Sequence, residues 1–453
     1  MLLRQPVCLA LLLATLTLAL PQAALAGPPP ARVFCSASPE CGQGFHCFWG
    51  VCISDLETPR FTLFRMVVGP IMDLRPTATG AGAMLKLEKA IAGQLASTGF
   101  IDANPIPAGD LGNQSLELVN LGYAYRLEGR LSTGSDGKNR LDLWVLDLLT
   151  EGRIAALDGS VALPSVDDPS PVLAFVNRLT GYFTGRPGYA GTRIACVRKG
   201  AWGVKEVTIM DPATGNEKAL TSDGKLAVLP AWTADGRVAY TSFKSGEAWL
   251  YIQGREQPFS SASTMVTGVA WSPDSSVAAA TLVTDGNPDI WLLEGTTGEA
   301  RARLTDHRAI DTSPTWSPDG RRIAFVSDRS GGGPQIFLMD DNGDNQERLT
   351  YGSSYNTSPA WHPFSDHIAY VARQGGFHIF MLSLVDQQQR QITFPPGEQE
   401  DPAWTPDGRS IVYVQARRGH RDLYIMNADG SDRRRVNTQD GNYFSPVWEP
   451  LKP

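Results

Sequence analysis

Six times in its second half the chain repeats one pattern, a tryptophan closing a short, mostly proline-containing stretch and opening a tight turn. The copies read LPAWTADGRVAYTS around Trp232, GVAWSPDSSVAAATL around Trp271 and SPTWSPDGRRIAFVSD around Trp316, then SPAWHPFSDHIAYVAR at Trp361, DPAWTPDGRSIVYVQAR at Trp404 and SPVWEP at Trp448. Successive tryptophans are 39, 45, 45, 43 and 44 residues apart. That period suits four short strands and their turns, the content of one β-propeller blade.

The strands of a unit follow from the residue types. Strand A carries the Pro-x-Trp. In the turn after it Pro318 presets φ, Asp319 can bond back to the backbone and Gly320 accepts a positive φ. Strand B is RIAFVSD (322–328), a β-branched and aromatic run with little alternation, as expected of a sheet covered on both faces. Strand C is QIFLMDD (335–341) and strand D is ERLT (347–350).

The count of pieces decides the architecture. Trp448 has no B, C and D strands after it, whereas TRIACVRKG (192–200), EVTIMDPATG (206–215) and EKALT (217–221) form such a set with no tryptophan before it. The pieces close into a ring only if the last strand joins the first blade, which removes exposed sheet edges. The sequence therefore predicts a six-bladed β-propeller over 189–453, with Trp316 and its equivalents packed between blades. An open solenoid would need caps and would leave both end units incomplete.

Residues 58–188 have another texture, that of a small α/β domain. RFTLFRMVV (60–68), AYRLEGRLS (124–132), RLDLWVLDLL (140–149) and RIAALDGSVAL (153–163) predict strands. Leu87, Ile91 and Leu95 recur at helical spacing within 82–99, and DPSPVLAFVNRLTGYF (168–183) starts with an Asp cap and an early Pro, so both predict helices.

The chain opens with one Arg, an apolar run from Val7 to Leu20 and Ala24-Leu25-Ala26. The run is short of the roughly 20 residues that span a bilayer, so a cleaved signal peptide over 1–26 and a product exported to an oxidising compartment are expected. In that compartment Cys35, Cys41, Cys47 and Cys52, all within residues 27–57, predict disulfides, with three pairings open. The rival, a Zn site using His46, lacks any C-x-x-C. Cys196, within a strand-like run, reads as a small buried hydrophobe.

A net charge of −7 argues against bulk nucleic-acid binding, and Arg433, Arg434 and Arg435 read as a solvated loop. No G-x-S-x-G, H-E-x-x-H or P-loop occurs. The histidines His46, His307, His362, His367, His378 and His420 fall at different places in the repeat, which favours scattered surface and turn roles over a metal ring. DDNGDNQE (340–347) and NADGSDR (427–433) lack the full calcium-loop pattern. Neither catalytic residues nor a metal or cofactor site is predicted.

The loops from strand D to the next strand A are the variable parts on a regular frame, where binding sites concentrate. They offer Tyr355, Asn356, Glu400, Asp401, Tyr443 and Phe444, aromatic and hydrogen-bonding groups of the sort that dominate protein interfaces, with ordinary solvated loops as the alternative.

An export signal, a small α/β domain and repeats of the form SPxWSPDGxxIAFVSD, joined through LTGYFTGRPGYAGTRIACV (179–197), resemble the TolB family of the Tol–Pal envelope system. The resemblance spans about residues 60–450. It implies a non-catalytic periplasmic adaptor without a cofactor, supporting outer-membrane integrity and cell division, and because the closed ring leaves no edge strand demanding a mate, a monomer is expected. The propeller face would bind a Pal-type peptidoglycan-associated lipoprotein. That implies a partner-binding rim of D-to-A loop residues just ahead of each Pro-x-Trp, Asp311, Thr312, Asn356, Thr357, Glu400, Tyr443 and Phe444, with Tyr355 and Asp401. An N-terminal peptide would bind a TolA-type inner-membrane protein. Here the expected mature N-terminus is the Pro-rich, Cys-rich GPPPARVFCSASPECGQGFHCFWGVC instead of that peptide. The likeness therefore carries the Pal-type contact further than the TolA-type one. The alternative is a propeller enzyme or glycan-binding protein, lyase-like with a channel metal, which would need several His or carboxylates to converge. An orphan solute or stress sensor using the Cys-rich segment is a third reading.

Overall fold

In the computed structural model, the residues described are 64–75, 81–98, 101–105, 115–168, 170–184, 188–200, 203–259 and 265–451, with the backbone of two short strands, β1 (Phe45–Phe48) and β2 (Val51–Ser54). The chain divides into two compact units, residues 1–53 and 54–453. Near the end of the first, β1 and β2 pair with each other. The leader and the side chains of the four clustered cysteines lie outside the described residues.

Blade 4 shows how the repeat folds. Strands Asp311–Trp316, Arg322–Ser327, Gln335–Asp340 and Glu347–Arg348 form an antiparallel sheet in chain order. At the first turn the Ser317 hydroxyl donates to Asp319 Oδ1 at 2.6 Å, the Arg321 N–H donates to the same oxygen at 3.1 Å, and Gly320 takes φ +69°. The threonine ending the unit has a repeated task too. Oγ1 of Thr221, Thr305, Thr350 and Thr393 accepts a strand C N–H from Val207, Ile290, Ile336 and Ile379, at 2.7–3.0 Å.

The C-terminal strand Tyr443–Trp448 pairs with Ile194–Lys199 and completes blade 1, as the count of pieces requires. Six blades result, and the core is distributed among their seams. Phe325 and Phe337 of blade 4 pack with Ala279 and Ile290 of blade 3, for example. The tryptophans sit in these seams. The indole N–H of Trp316 donates to Ala270 O at 3.0 Å, that of Trp404 to Ala360 O at 3.0 Å and that of Trp232 to Val447 O at 3.1 Å. Each acceptor immediately precedes the neighbouring blade's tryptophan. Trp361 instead donates within its own turn, to Ser365 O.

Blade 2 departs from the expected pattern. It has three strands, Ala227–Trp232, Val238–Ser242 and Trp249–Ile252. After them GREQPF has no β-run, and Pro258 offers no N–H to a ladder. A single bond from Phe259 N to Leu250 O marks where the outer strand would pair.

The second domain is a five-stranded sheet. Its elements are β3 (Phe64–Asp73), α1 (Ala81–Ser97), β4 (Ile101–Pro105), α2 (Ser115–Asn120), β5 (Tyr125–Thr133), β6 (Asn139–Asp147), β7 (Gly159–Ala162) and α3 (Leu173–Thr184). The strand order is β4-β3-β5-β6-β7, with β3 parallel to both neighbours. Helices α1 and α3 bury Leu87, Ile91, Leu95, Phe175, Val176 and Leu179 in one core with the strands. The short β4 and α2 were not anticipated, and 153–163, expected as one strand, holds a three-residue 3-10 turn (Ala155–Leu157) before a four-residue strand. In the connection to the propeller, buried Tyr189 packs edge-on against Trp448 at 5.3 Å, and its hydroxyl lies 3.4 Å from Thr98 O.

Candidate partner-binding face

The six A strands contact one another around the ring, so they form its inner wall. Because neighbouring strands run antiparallel, the D-to-A and B-to-C connections of every blade emerge on one rim, and the A-to-B and C-to-D turns on the other. Among the described propeller residues the large exposed apolar side chains are Leu226, Leu229, Met265, Ile310, Tyr351, Tyr355 and Phe394 on or beside the first rim, and Val385 alone on the second. Tyr351 is 60% exposed and Phe394 53%, well beyond what a solvated turn requires.

Every A strand carries a bulge at the same place. The residue three before the tryptophan has positive φ in each: Leu229, Gly268, Ser313, Ser358, Asp401 and Ser445, and the register shifts there in all six pairs. This bulge bends the strand and re-aims the residues above it.

The bulge sorts the predicted site residues into depths. Asp311, Asn356 and Tyr443, five before their tryptophans, are fully buried in the seams. Asp311 accepts from Arg329 at 2.7 Å, and burial raises its carboxyl above the usual range against the pull of Ser327 and Arg329. Asn356 Nδ2 donates to Gln335 Oε1 at 2.7 Å, and the Tyr443 hydroxyl donates to Glu217 at 2.9 Å. These three side chains cannot reach a partner; they hold the rim in shape. One residue later, Thr312, Thr357, Glu400 and Phe444 are partly open. Glu400 pairs with Arg421, and the Phe444 ring lies between two cations, Lys205 Nζ at 4.2 Å and Arg421 Cζ at 4.5 Å from its centroid. Asp401, at the bulge, accepts from Ser358 of blade 5 and Ser445 of blade 1. Exposed Tyr355 rests edge-on against Phe377 at 5.5 Å.

Leu226, Met265, Ile310, Tyr351 and Phe394 were missed as site residues, although an apolar side chain in an otherwise polar turn was their signal. Of the histidines, His307 and His420 are exposed, while buried His362 and His378 bond to Gly408 O at 2.9 Å and Gln399 Oε1 at 2.6 Å. Among the described residues no three His, Cys, Asp or Glu side chains are grouped to hold a metal ion. Cys196 is fully buried, and burial drives its thiol pKa up.

The profile of the TolB beta propeller domain matches residues 181–452. The chain is 39% identical over 145 residues to the Tol-Pal system protein TolB of Anaeromyxobacter dehalogenans, covering 31% of this chain and 32% of that one. It is 31% identical over 255 residues to the protein TolB homolog of Chlorobium luteolum, covering 53% and 57%. The first match thus spans about a third of the relative's length. The crystal structure of TolB from Acinetobacter baumannii superposes with a TM-score of 0.71 at 23% identity, covering 85% of this chain and 96% of that one, and so shares the fold. Among the described residues no helix is long and apolar enough to cross a membrane. With the matching profile covering more than half of its length, the chain belongs to the TolB β-propeller family.

Proposed function

We propose that this protein is a non-catalytic periplasmic adaptor of a Tol–Pal envelope system, docking a Pal-type lipoprotein on the rim formed by the D-to-A and B-to-C loops. In this role it supports outer-membrane integrity and cell division. The observation carrying the reading is the asymmetry between rims, with Leu226, Leu229, Met265, Ile310, Tyr351, Tyr355 and Phe394 exposed on or beside one and only Val385 on the other among the described residues. Apolar and aromatic groups on a rigid, partly polar frame are what a protein interface uses as anchors. Thr312, Thr357, Glu400, Asp401 and Phe444 line the inner edge of that rim, with buried Asp311, Asn356 and Tyr443 fixing its geometry. The reading includes export through a leader ending near Ala26 and disulfides among Cys35, Cys41, Cys47 and Cys52. A TolA-type contact belongs to the reading only through the wider family.

The test is calorimetric titration of the exported form with the lipid-free Pal-type lipoprotein of the same organism. Saturable binding that weakens in Tyr355→Ala and Phe394→Ala supports the reading. Full affinity in both variants moves the site elsewhere, and no binding at high micromolar concentration removes the assignment.

A further inference from the structure

The rim is not chemically uniform. Its exposed apolar groups come from blades 2 to 5 and the loops joining them to their neighbours, which also carry Lys225, Lys244, Arg308 and Arg373, whereas the arc where blade 6 meets blade 1 groups its cations without an exposed large apolar side chain among the described residues. In blade 6 the B-to-C hairpin places Arg417, Arg418 and His420 in solvent, with half-buried Arg421 beside them. Arg417 faces His420 across that hairpin, and Ala416 faces Arg421. In blade 1 Lys199 and Lys205 face each other across the corresponding hairpin. Asn442 joins the two groups, because it bridges to Arg421 and its carbonyl accepts the Lys199 N–H at 2.8 Å. The cations therefore form one continuous outcrop.

This outcrop is neutralised only in part: Asp440 interacts with His420, and Glu206 and Glu398 stand in the adjoining strands. Arg421 pairs with Glu400, but among the described residues Arg417, Arg418, Lys199 and Lys205 form no ion pair. Two like charges directly opposite on neighbouring strands, as Lys199 and Lys205 are, lower a sheet's stability, a cost that the contact of Lys205 with the Phe444 ring offsets in part. It stands on a chain whose net charge is −7. Phe444 lies at the inner edge of the outcrop, and its ring contacts both Lys205 and Arg421.

Resting on the docking proposed above, we infer that the blade 6–blade 1 arc receives an acidic segment of the protein partner, Asp or Glu side chains set against Arg417, Arg418, Lys199 and Lys205, while the aromatic arc takes its apolar contacts. Charge complementarity selects carboxylates, which the guanidinium fork matches in a planar, bidentate way. The Glu400–Arg421 pair already sets one carboxylate against a cation of this arc. Phe444 and the apolar arc beside the outcrop favour a protein segment over a bare phosphate or a lipid headgroup. The arc also orients the partner, since a reversed approach would set carboxylates against the apolar side.

The experiment uses the exported full chain and the lipid-free Pal-type lipoprotein of the same organism, titrated at about 50 and about 300 mM NaCl. An affinity that falls with salt, and a combined Arg417→Glu and Lys199→Glu variant that binds about tenfold more weakly at low salt with most of the salt dependence gone, support the inference. Phe394→Ala should weaken binding while leaving the salt dependence intact. Carbodiimide coupling of the complex should join Lys199 or Lys205 to an Asp or Glu of the partner. Binding that ignores both salt and the charge reversals overturns the acidic-segment inference and leaves the docking standing. Absence of any binding removes the docking and this inference together. If the reversals abolish only binding to vesicles of about 30% phosphatidylglycerol, with partner affinity unchanged, the outcrop serves an anionic membrane and the inference falls.

Discussion

Asp401 holds Ser445 across the seam where the ring closes: its Oδ2 accepts the Ser445 backbone N–H at 2.9 Å, while its Oδ1 takes the Ser358 hydroxyl at 3.2 Å. One carboxylate thus ties the inner strands of blades 5, 6 and 1, at a residue with φ +50°. Asp401→Ala leaves the Ser445 N–H without its acceptor and should cost about 1–3 kcal/mol in denaturant unfolding. Asp401→Asn keeps an acceptor and tolerates the left-handed backbone, so it should cost less. Equal losses in the two variants would show that the charge, not the hydrogen bond, holds the seam.

The indole of Trp316 serves packing and one hydrogen bond, and two substitutions separate them. Trp316→Phe removes the donor to Ala270 O and should cost about 1 kcal/mol. Trp316→Ala also empties the seam between blades 3 and 4 and should cost about 3–5 kcal/mol. Chemical denaturation followed by tryptophan fluorescence and circular dichroism gives both values.

Thr350 tests the last residue of the repeat. Its Oγ1 accepts the Ile336 N–H at 3.0 Å and donates to Gln335 Oε1 at 3.0 Å, with the side chain fully buried. Thr350→Val keeps the shape and removes both bonds. A loss of about 1–3 kcal/mol is expected, with faster amide exchange at Ile336 as its local signature.

Glu88 links charge to stability in the α/β domain. It is buried on α1, accepts the Ile71 N–H at 2.7 Å, and burial raises its carboxyl above 4.5 despite that bond. The folded state therefore keeps the proton longer than the unfolded state. As pH rises from the unfolded carboxyl's range through the raised folded value, this group's contribution to stability falls, and then it levels off. Glu88→Gln does not titrate, so its Tm relative to wild type should climb over that window. A difference constant from pH 4 to pH 8 would show that Glu88 is not held protonated.

Tyr355 and Phe394 should behave oppositely to these buried residues. Both are exposed, so alanine at either should change stability by no more than about 0.5 kcal/mol. Affinity for the Pal-type lipoprotein should fall by about 1–2 kcal/mol, read by calorimetry alongside the thermal melts.

The sequence by itself determined the number of blades, their turns and the strand that closes them, because each depends on contacts within one period. Trp316, Asp319 and Gly320 announce a blade locally, and the unpaired sets at the two ends of the repeat region leave one way to close it. The depth of the rim residues was decided only by the tertiary structure. Asp311, Asn356 and Tyr443 precede Thr312, Thr357 and Phe444 by a single residue, yet the first three are sealed in seams and the last three are partly open. Successive side chains of a strand point to opposite sides, and the bulge repeated at Leu229, Gly268, Ser313, Ser358, Asp401 and Ser445 resets that alternation in every inner strand. Which side meets the next blade depends on how two units 44 residues apart pack, and no residue in either unit states it. The same reason hid the contact of Phe444 with Lys205 and Arg421, which come from opposite ends of the propeller and meet only because the ring closes.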